Sequence, residues 1–163
     1  RYSRPPQPSP ANPVSSYLRV AQIPAYVVER LREDCPSIAQ AFRWNDLVNA
    51  SIQNEWLLNI GQRSAYERLG HLLVELFCRL RTAGLVNGES CDLPLTQNDL
   101  ADATGLTSVH VNRTLMDFRR QGLVELERRR LRLPDMPAMM AATGFNPLYL
   151  HLDHESRDID AYA

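Results

Sequence analysis

From Thr96 to Gly122 the chain starts and stops two helical segments in quick succession, and that punctuation limits the folds open to it. Thr96 stands where a capping hydroxyl is wanted, ahead of Leu100 and Ala101, and Gly105 ends the segment. Thr107 opens a second segment that is predicted to run to about Gln121, with Gly122 as its terminator. Beyond it, Leu123–Leu126 and Leu131–Leu133 alternate as two strands around a basic turn.

Helix, glycine, helix and hairpin is the order of a winged helix-turn-helix. The second helix has the two faces such a fold needs. Val111, Leu115 and Phe118 recur at i, i+4 and i+7 as an apolar seam. Ser108, Val109, Asn112, Arg113 and Met116 lie on the other face. Arg grips guanine O6 and N7 with two bonds, Asn does the same at adenine N6 and N7, and Val109 suits a thymine methyl.

Charge distribution points the same way. The whole chain is near neutral at −1, yet Gly105–Leu133 holds seven Arg against three acids, and Pro134–Ala163 holds one Arg against five. Phosphate neutralisation needs such a basic segment, and Arg128, Arg129 and Arg130 at the hairpin tip would lie along a sugar-phosphate backbone. Every basic residue is Arg. Without Lys there is no P-loop and no Schiff-base chemistry, and G-x-G-x-x-G, G-x-S-x-G and H-E-x-x-H do not occur. Cys35, Cys78 and Cys91 are odd in number and lack metal or disulfide spacing, which fits a reduced cytoplasm. No run approaches the roughly 18 apolar residues of a membrane span. No cofactor is expected.

Upstream, residues 1–16 carry five Pro and read as a disordered leader. Tyr17–Ile23 is predicted as a short strand and Ala25–Glu33 as a short helix. A long helix should then run from about Ser37 to Ile60 behind Pro36. Ile38, Phe42, Asn45, Asn49, Ile52, Trp56 and Asn59 form a heptad-like stripe, the expected dimer interface, and Trp44, Leu47, Val48 and Leu58 form a second face. Apolar residues on more than one face suggest packing on two surfaces, the helix's own domain and a partner chain; a buried core helix of a monomer is the alternative.

Ser64–Ala83 is the clearest amphipathic helix. Ala65, Leu69, Leu72, Leu73, Leu76, Leu80 and Ala83 line one face, Glu75 and Arg79 pair at i, i+4 on the opposite side, and Gly84 terminates it. His71 reads as a packed or hydrogen-bonded histidine, and Trp44 and Trp56 as packing residues. Asn87–Gly88 marks a turn, Cys91–Leu95 a short strand, and Met136–Met140 a short terminal helix. His151 and His154 could ligate a metal but have no third ligand cluster, so an acidic tail over residues 153–163 is expected instead.

LPLTQNDLADATGLTSVHVNRTLMDFRRQGLVEL resembles the DNA-binding domain of the Crp/Fnr family of bacterial transcription regulators, and RSAYERLGHLLVELFCRL resembles the helix that joins that family's dimerisation helix to its winged domain. A weaker match extends over residues 17–62. The resemblance implies a mainly α fold: a long dimerisation helix over residues 36–62, then a winged helix-turn-helix over 63–152 with a small hairpin wing. It implies a homodimer on double-stranded DNA, with RNA polymerase as a further partner. Carried over by position, Ser108, Val109, Asn112 and Arg113 are the base readers, and Thr96, Gln97, Thr107 and His110 hold phosphates. Ser108 and Val109 stand where many members have Arg and Glu, so the target sequence should differ.

The family's sensor β-roll precedes the long helix. Here only residues 17–35 could be its end, the phosphate-cradling segment and the iron–sulfur cysteines are missing, and the first residue is Arg1. The expectation is a partial regulator without an effector site. Two other classes stay in play: an interaction module that heterodimerises with an intact regulator, and a metallohydrolase built on the C-terminal histidines.

Overall fold

The computed structural model describes residues 21–152, which divide into two units between Phe42 and Arg43. In the first, helix α1 (Ala25–Asp34) starts behind Pro24 and buries none of its residues. The Cys35 N–H closes its last turn on the Leu31 carbonyl at 3.0 Å, and helix α2 (Pro36–Gln62) begins at once with Pro in its first turn. The Arg32 guanidinium lies 6.0 Å from the Phe42 ring centre. Ala21–Ile23, the described part of the expected strand, is not a strand; the remainder, like the leader and the acidic tail, lies outside the described residues.

The second unit holds the rest of α2 and the remaining elements. Helix α3 (Ala65–Thr82) is fixed at its start by a reciprocal cap: Ser64 Oγ accepts from the Glu67 N–H, and Glu67 accepts from the Ser64 N–H at 2.8 Å. That pairing holds the Glu67 carboxyl below the usual carboxylate range. Gly84, at φ 71°, carries the chain out of the helix, and Leu85 donates back to the Leu80 carbonyl at 2.8 Å.

Strands β1 (Val86–Asn87) and β2 (Ser90–Asp92) form a hairpin at Gly88. Helices α4 (Gln97–Thr104) and α5 (Ser108–Arg120) follow, then the wing strands β3 (Glu125–Glu127) and β4 (Arg130–Arg132). All four strands join one antiparallel sheet in the order β1-β2-β4-β3, with Leu131 facing Cys91 on one side and Leu126 on the other. Helix α6 (Met136–Thr143) and a 3-10 turn (Pro147–Leu150) end the described chain. Strand β1 is not legible in the sequence, because two residues beside a turn carry no alternation.

Leu69, Leu73, Leu100, Leu115, Phe118, Leu131 and Met139 are fully buried, so α3 is the spine on which α4, α5, the sheet and α6 pack. Gly70 brings α3 against α6: a Cβ there would stand 2.2 Å from Thr143 Cγ2. The buried Cys78 and Cys91 thiols are pushed up by desolvation, which suits inert core residues.

Two expectations about side-chain placement are corrected. Glu75 is not on a solvent face: it is 5% exposed and is the acceptor of a polar cluster. Its carboxylate takes the Trp56 indole N–H at 3.0 Å, the Tyr149 hydroxyl at 2.7 Å and Arg79 at 2.7 Å. Tyr149 thereby gives its proton to Glu75, so the 2.8 Å bond to His71 requires His71 Nε2–H as donor and leaves His71 Nδ1 buried without a partner. Burial depresses the His71 pKa to about 4, with Arg63 adding to the effect, and raises that of Tyr149.

The second correction concerns the expected dimer stripe on α2. Ile52 and Trp56 pack on the chain's own core and Asn59 is wholly buried, its Oδ1 accepting from Arg63 at 3.5 Å. The bond from Trp56 to Glu75 explains the direction: the indole N–H can be buried on that side because an acceptor waits there. Asn45 and Asn49 are exposed, as is Phe42, and Ile38 is half-buried. The second stripe faces outward instead, with Leu47 64% and Leu58 47% exposed.

Candidate DNA interface

Helix α5 is set by its cap and its core seam. Thr107 Oγ accepts from the His110 N–H at 3.2 Å, and Val111, Thr114, Leu115 and Phe118 are buried. The seam fixes the rotation of the helix, and with it what the outer face presents. Ser108, Asn112 and Arg113 are exposed there, and Val109 is 78% and Met116 54% exposed. Apolar side chains this open on a short helix have no packing role in the chain itself.

Helix α4 leads into α5 through Gly105, at φ 65°, and Leu106 closes back on the Ala101 carbonyl at 3.0 Å. At the start of α4, Thr96 and Asp99 form another reciprocal cap. Asp99 takes both the Thr96 N–H at 2.7 Å and the Thr96 hydroxyl at 2.8 Å, bonds that hold its carboxyl below the usual range. Both donors of Thr96 are therefore committed to Asp99, and a phosphate approaching Thr96 would meet a carboxylate. Gln97, one residue on, keeps its amide N–H groups and accepts the Asn112 amide at 3.2 Å through Oε1. The structure thus joins an expected phosphate holder to an expected base reader. Among the described residues the hydroxyl proton of Thr107 has no acceptor, and His110 is half-exposed beside it.

The wing is a two-residue hairpin in which Glu127 faces Arg130. Arg128 and Arg129 both have positive φ, 47° and 63°, the turn geometry that Asn-Gly ordinarily supplies. The Leu93 N–H holds the Arg129 carbonyl at 2.7 Å, and Arg119 reaches from the end of α5 to the Leu126 carbonyl. Arg132 is held by Glu125 at 3.1 Å and Glu89 at 3.0 Å, and Arg120 by Asp117. Among the described residues Arg113, Arg128, Arg129 and Arg130 make no ion pair, so their charge is open to a polyanion. An Arg count does not say which guanidinium is already bound, so the Arg119 and Arg132 contacts are not legible in the sequence.

His151 lies edge-on to the Trp44 ring at 5.3 Å. Among the described residues no group of three His, Cys, Asp or Glu is placed to hold a metal, and no helix is long and apolar enough to cross a membrane; Asp153, His154 and Glu155 lie outside them.

Residues 67–142 match the Crp-like helix-turn-helix domain. The chain is 27% identical to a probable transcriptional activator of Rhizobium leguminosarum bv. viciae over 72% of this chain and 49% of that protein. It is 33% identical to the transcriptional activator protein FnrL of Cereibacter sphaeroides over 63% of this chain and 42% of FnrL. It spans about half the length, or less, of these relatives. In fold it is similar to FixK2 of Bradyrhizobium japonicum, with a TM-score of 0.65 at 20% identity over 74% of this chain and 59% of FixK2. The helix order, the capped α4–α5 turn and the four-stranded sheet agree with that likeness in fold, and residues 67–142 carry a Crp-like helix-turn-helix domain.

Proposed function

We propose that the chain binds double-stranded DNA in a sequence-specific way as a homodimer, with α5 in the major groove and the wing along the backbone. The observation that carries this is the outer face of α5: Ser108, Val109, Asn112 and Arg113 stand together in the open, beside a wing tip whose Arg residues make no ion pair among the described residues. Arg113 supplies the guanine contact, Asn112 an adenine contact and Val109 a methyl contact. Gln97, Thr107, His110, Arg128, Arg129 and Arg130 serve the phosphates, and Thr96 serves them only by shaping the start of α4. The regulator acts in the cytoplasm, where such DNA is found.

The dimer forms through the outward stripe of α2. Trp44, Leu47, Ser51, Asn54, Leu58 and Gly61 recur at alternating intervals of three and four, the period of a two-helix seam. The same stripe favours a second reading, an interaction module that pairs with a longer relative through α2.

Selection of bound duplexes from a random pool tests the first reading. A palindrome with half-sites about one helical turn apart is expected. Arg113→Ala should then cost about 1–3 kcal/mol and relax one base pair in each half-site. Equal loss on specific and random DNA would remove Arg113 from base reading. Uniform, salt-sensitive binding with no enriched site would hand the first place to the interaction module.

A further inference from the structure

Neither α2 nor α4 has a basic residue in its last turn. The last carbonyls of a helix lack intrahelical donors and carry the negative end of its dipole, so a cation is wanted there. Arg68, projecting from the first turns of α3, supplies it to both. Its Nε donates to the Asn59 carbonyl at 3.1 Å, and Nη2 reaches the Ile60 carbonyl at 2.9 Å and the Arg63 carbonyl at 3.1 Å. Nη1 donates to the Thr104 carbonyl, the last of α4, at 3.1 Å.

A planar guanidinium with donors on several sides can hold carbonyls of separate segments at fixed angles, which an ammonium cannot. The local sequence makes the tie specific. Thr104 turns its hydroxyl back to the Leu100 carbonyl at 2.6 Å, and its own carbonyl, at the end of the helix, accepts from Arg68. Gly105 follows immediately and starts the turn into α5.

We infer that Arg68 is a positioning residue that locks the helix-turn-helix to the end of the long helix, and so sets the half-site spacing that the dimer accepts. The link to half-site spacing rests on the function proposed above; the lock itself does not. One inserted base pair moves the second half-site by about 3.4 Å and turns it by about 35°. Only a stiff joint between the dimer helix and α4–α5 makes that displacement costly.

Arg68→Met keeps the stem and removes all four bonds, and Arg68→Lys keeps the charge with a single point of attachment. The first readout uses palindromes whose half-sites are moved apart or together by one or two base pairs. The full chain should prefer one spacing by about tenfold or more, and Arg68→Met should reduce that preference to about twofold while the base preference within each half-site is kept. Arg68→Lys should fall between them. Unchanged spacing preference in Arg68→Met would overturn the inference. So would equal loss of spacing and base preference in a variant that melts as the parent does.

The second readout needs no DNA. Spin labels at Gln53→Cys on α2 and Asp102→Cys on α4, both exposed positions, report the distance across the joint in a Cys35→Ser background diluted with unlabelled chain. A narrow distribution that broadens in Arg68→Met supports the lock, and identical distributions overturn it. If the parent selects no palindrome at all, the proposed function fails and the label distances alone decide the role of Arg68.

Discussion

Gly70→Ala should destabilise the protein, although helix propensity alone favours the change by about 1 kcal/mol. Gly70 lies in the middle of α3, and the added methyl carbon would meet Thr143 Cγ2 at 2.2 Å, with Met139 Cε and Phe118 Cζ both at 3.1 Å. Carbon atoms pack best at about 3.5–4.0 Å, so Thr143 must retreat by more than an ångström. It has little room to do so. Thr143 is buried, β-branched, and anchored by its hydroxyl to the Met139 carbonyl at 2.8 Å. Overpacking of this kind costs about 1–3 kcal/mol, and the severity of the clash places it at the upper end. Net of the propensity gain, Gly70→Ala should lose about 2 kcal/mol. Thr143→Ser removes the offending methyl and by itself should cost about 1 kcal/mol for the lost burial. The double variant should then lie near the parent, an interaction energy of about 3 kcal/mol between the two sites. Urea unfolding of all four proteins closes the cycle. A stabilised Gly70→Ala, or strictly additive effects, would refute the packing argument.

Three further perturbations probe the remaining features. His71 is neutral and buried with a pKa near 4 against about 6.5 unfolded, so its contribution is complete above about pH 6.5 and declines as pH falls towards 4. Relative to His71→Gln, the parent should lose about 3 kcal/mol across that window, measured by denaturant titration at several pH values; parallel curves would contradict the assignment. Arg128→Asn with Arg129→Gly should relieve the left-handed turn and stabilise the fold by about 1 kcal/mol. The same change should flatten the salt dependence of DNA binding by about two units of log–log slope, and an unaltered slope would take both side chains off the phosphates. Leu58→Arg should weaken self-association at least about tenfold by sedimentation while Ile52→Ala should act on stability instead; the reverse pattern would return the seam to the inner stripe.

The winged domain was legible because its signals are local. Thr96, Gly105, Thr107 and Gly122 mark helix ends through capping and positive φ, and the structure places α4 and α5 between them. The seam of Val111, Leu115 and Phe118 fixes the rotation of α5 from sequence alone. Helix α2 was harder for a physical reason. Two stripes of similar period run along it, and periodicity says that each is buried somewhere, not by what. The deciding contact is long-range: Glu75, nineteen residues away, accepts the Trp56 indole and draws Ile52, Trp56 and Asn59 inward. An i, i+4 Glu–Arg pair ordinarily is exposed, so the local pattern alone places this carboxylate in solvent. Beside the local partner Arg79, two donors from distant parts of the chain, Trp56 and Tyr149, make its burial tolerable, and no local pattern announces those two.

The wing shows the opposite relation between sequence and backbone. A tight hairpin between Glu127 and Arg130 wants Asn-Gly, and the chain supplies Arg128 and Arg129. Both residues must accept a left-handed conformation that disfavours a Cβ, so something else must hold the turn closed. The neighbours do so. Leu126 faces Leu131 within the sheet, Arg132 bridges Glu125 and Glu89, and Leu93 fixes the Arg129 carbonyl from beyond the adjoining strand. A hairpin so constrained could carry the favoured turn residues without loss. Two guanidiniums in their place cost conformational energy and bring nothing to the core, since both are exposed and neither pairs with an acid among the described residues. On the function proposed above, a phosphate backbone lying along the wing tip and the basic edge of α5 would compensate them.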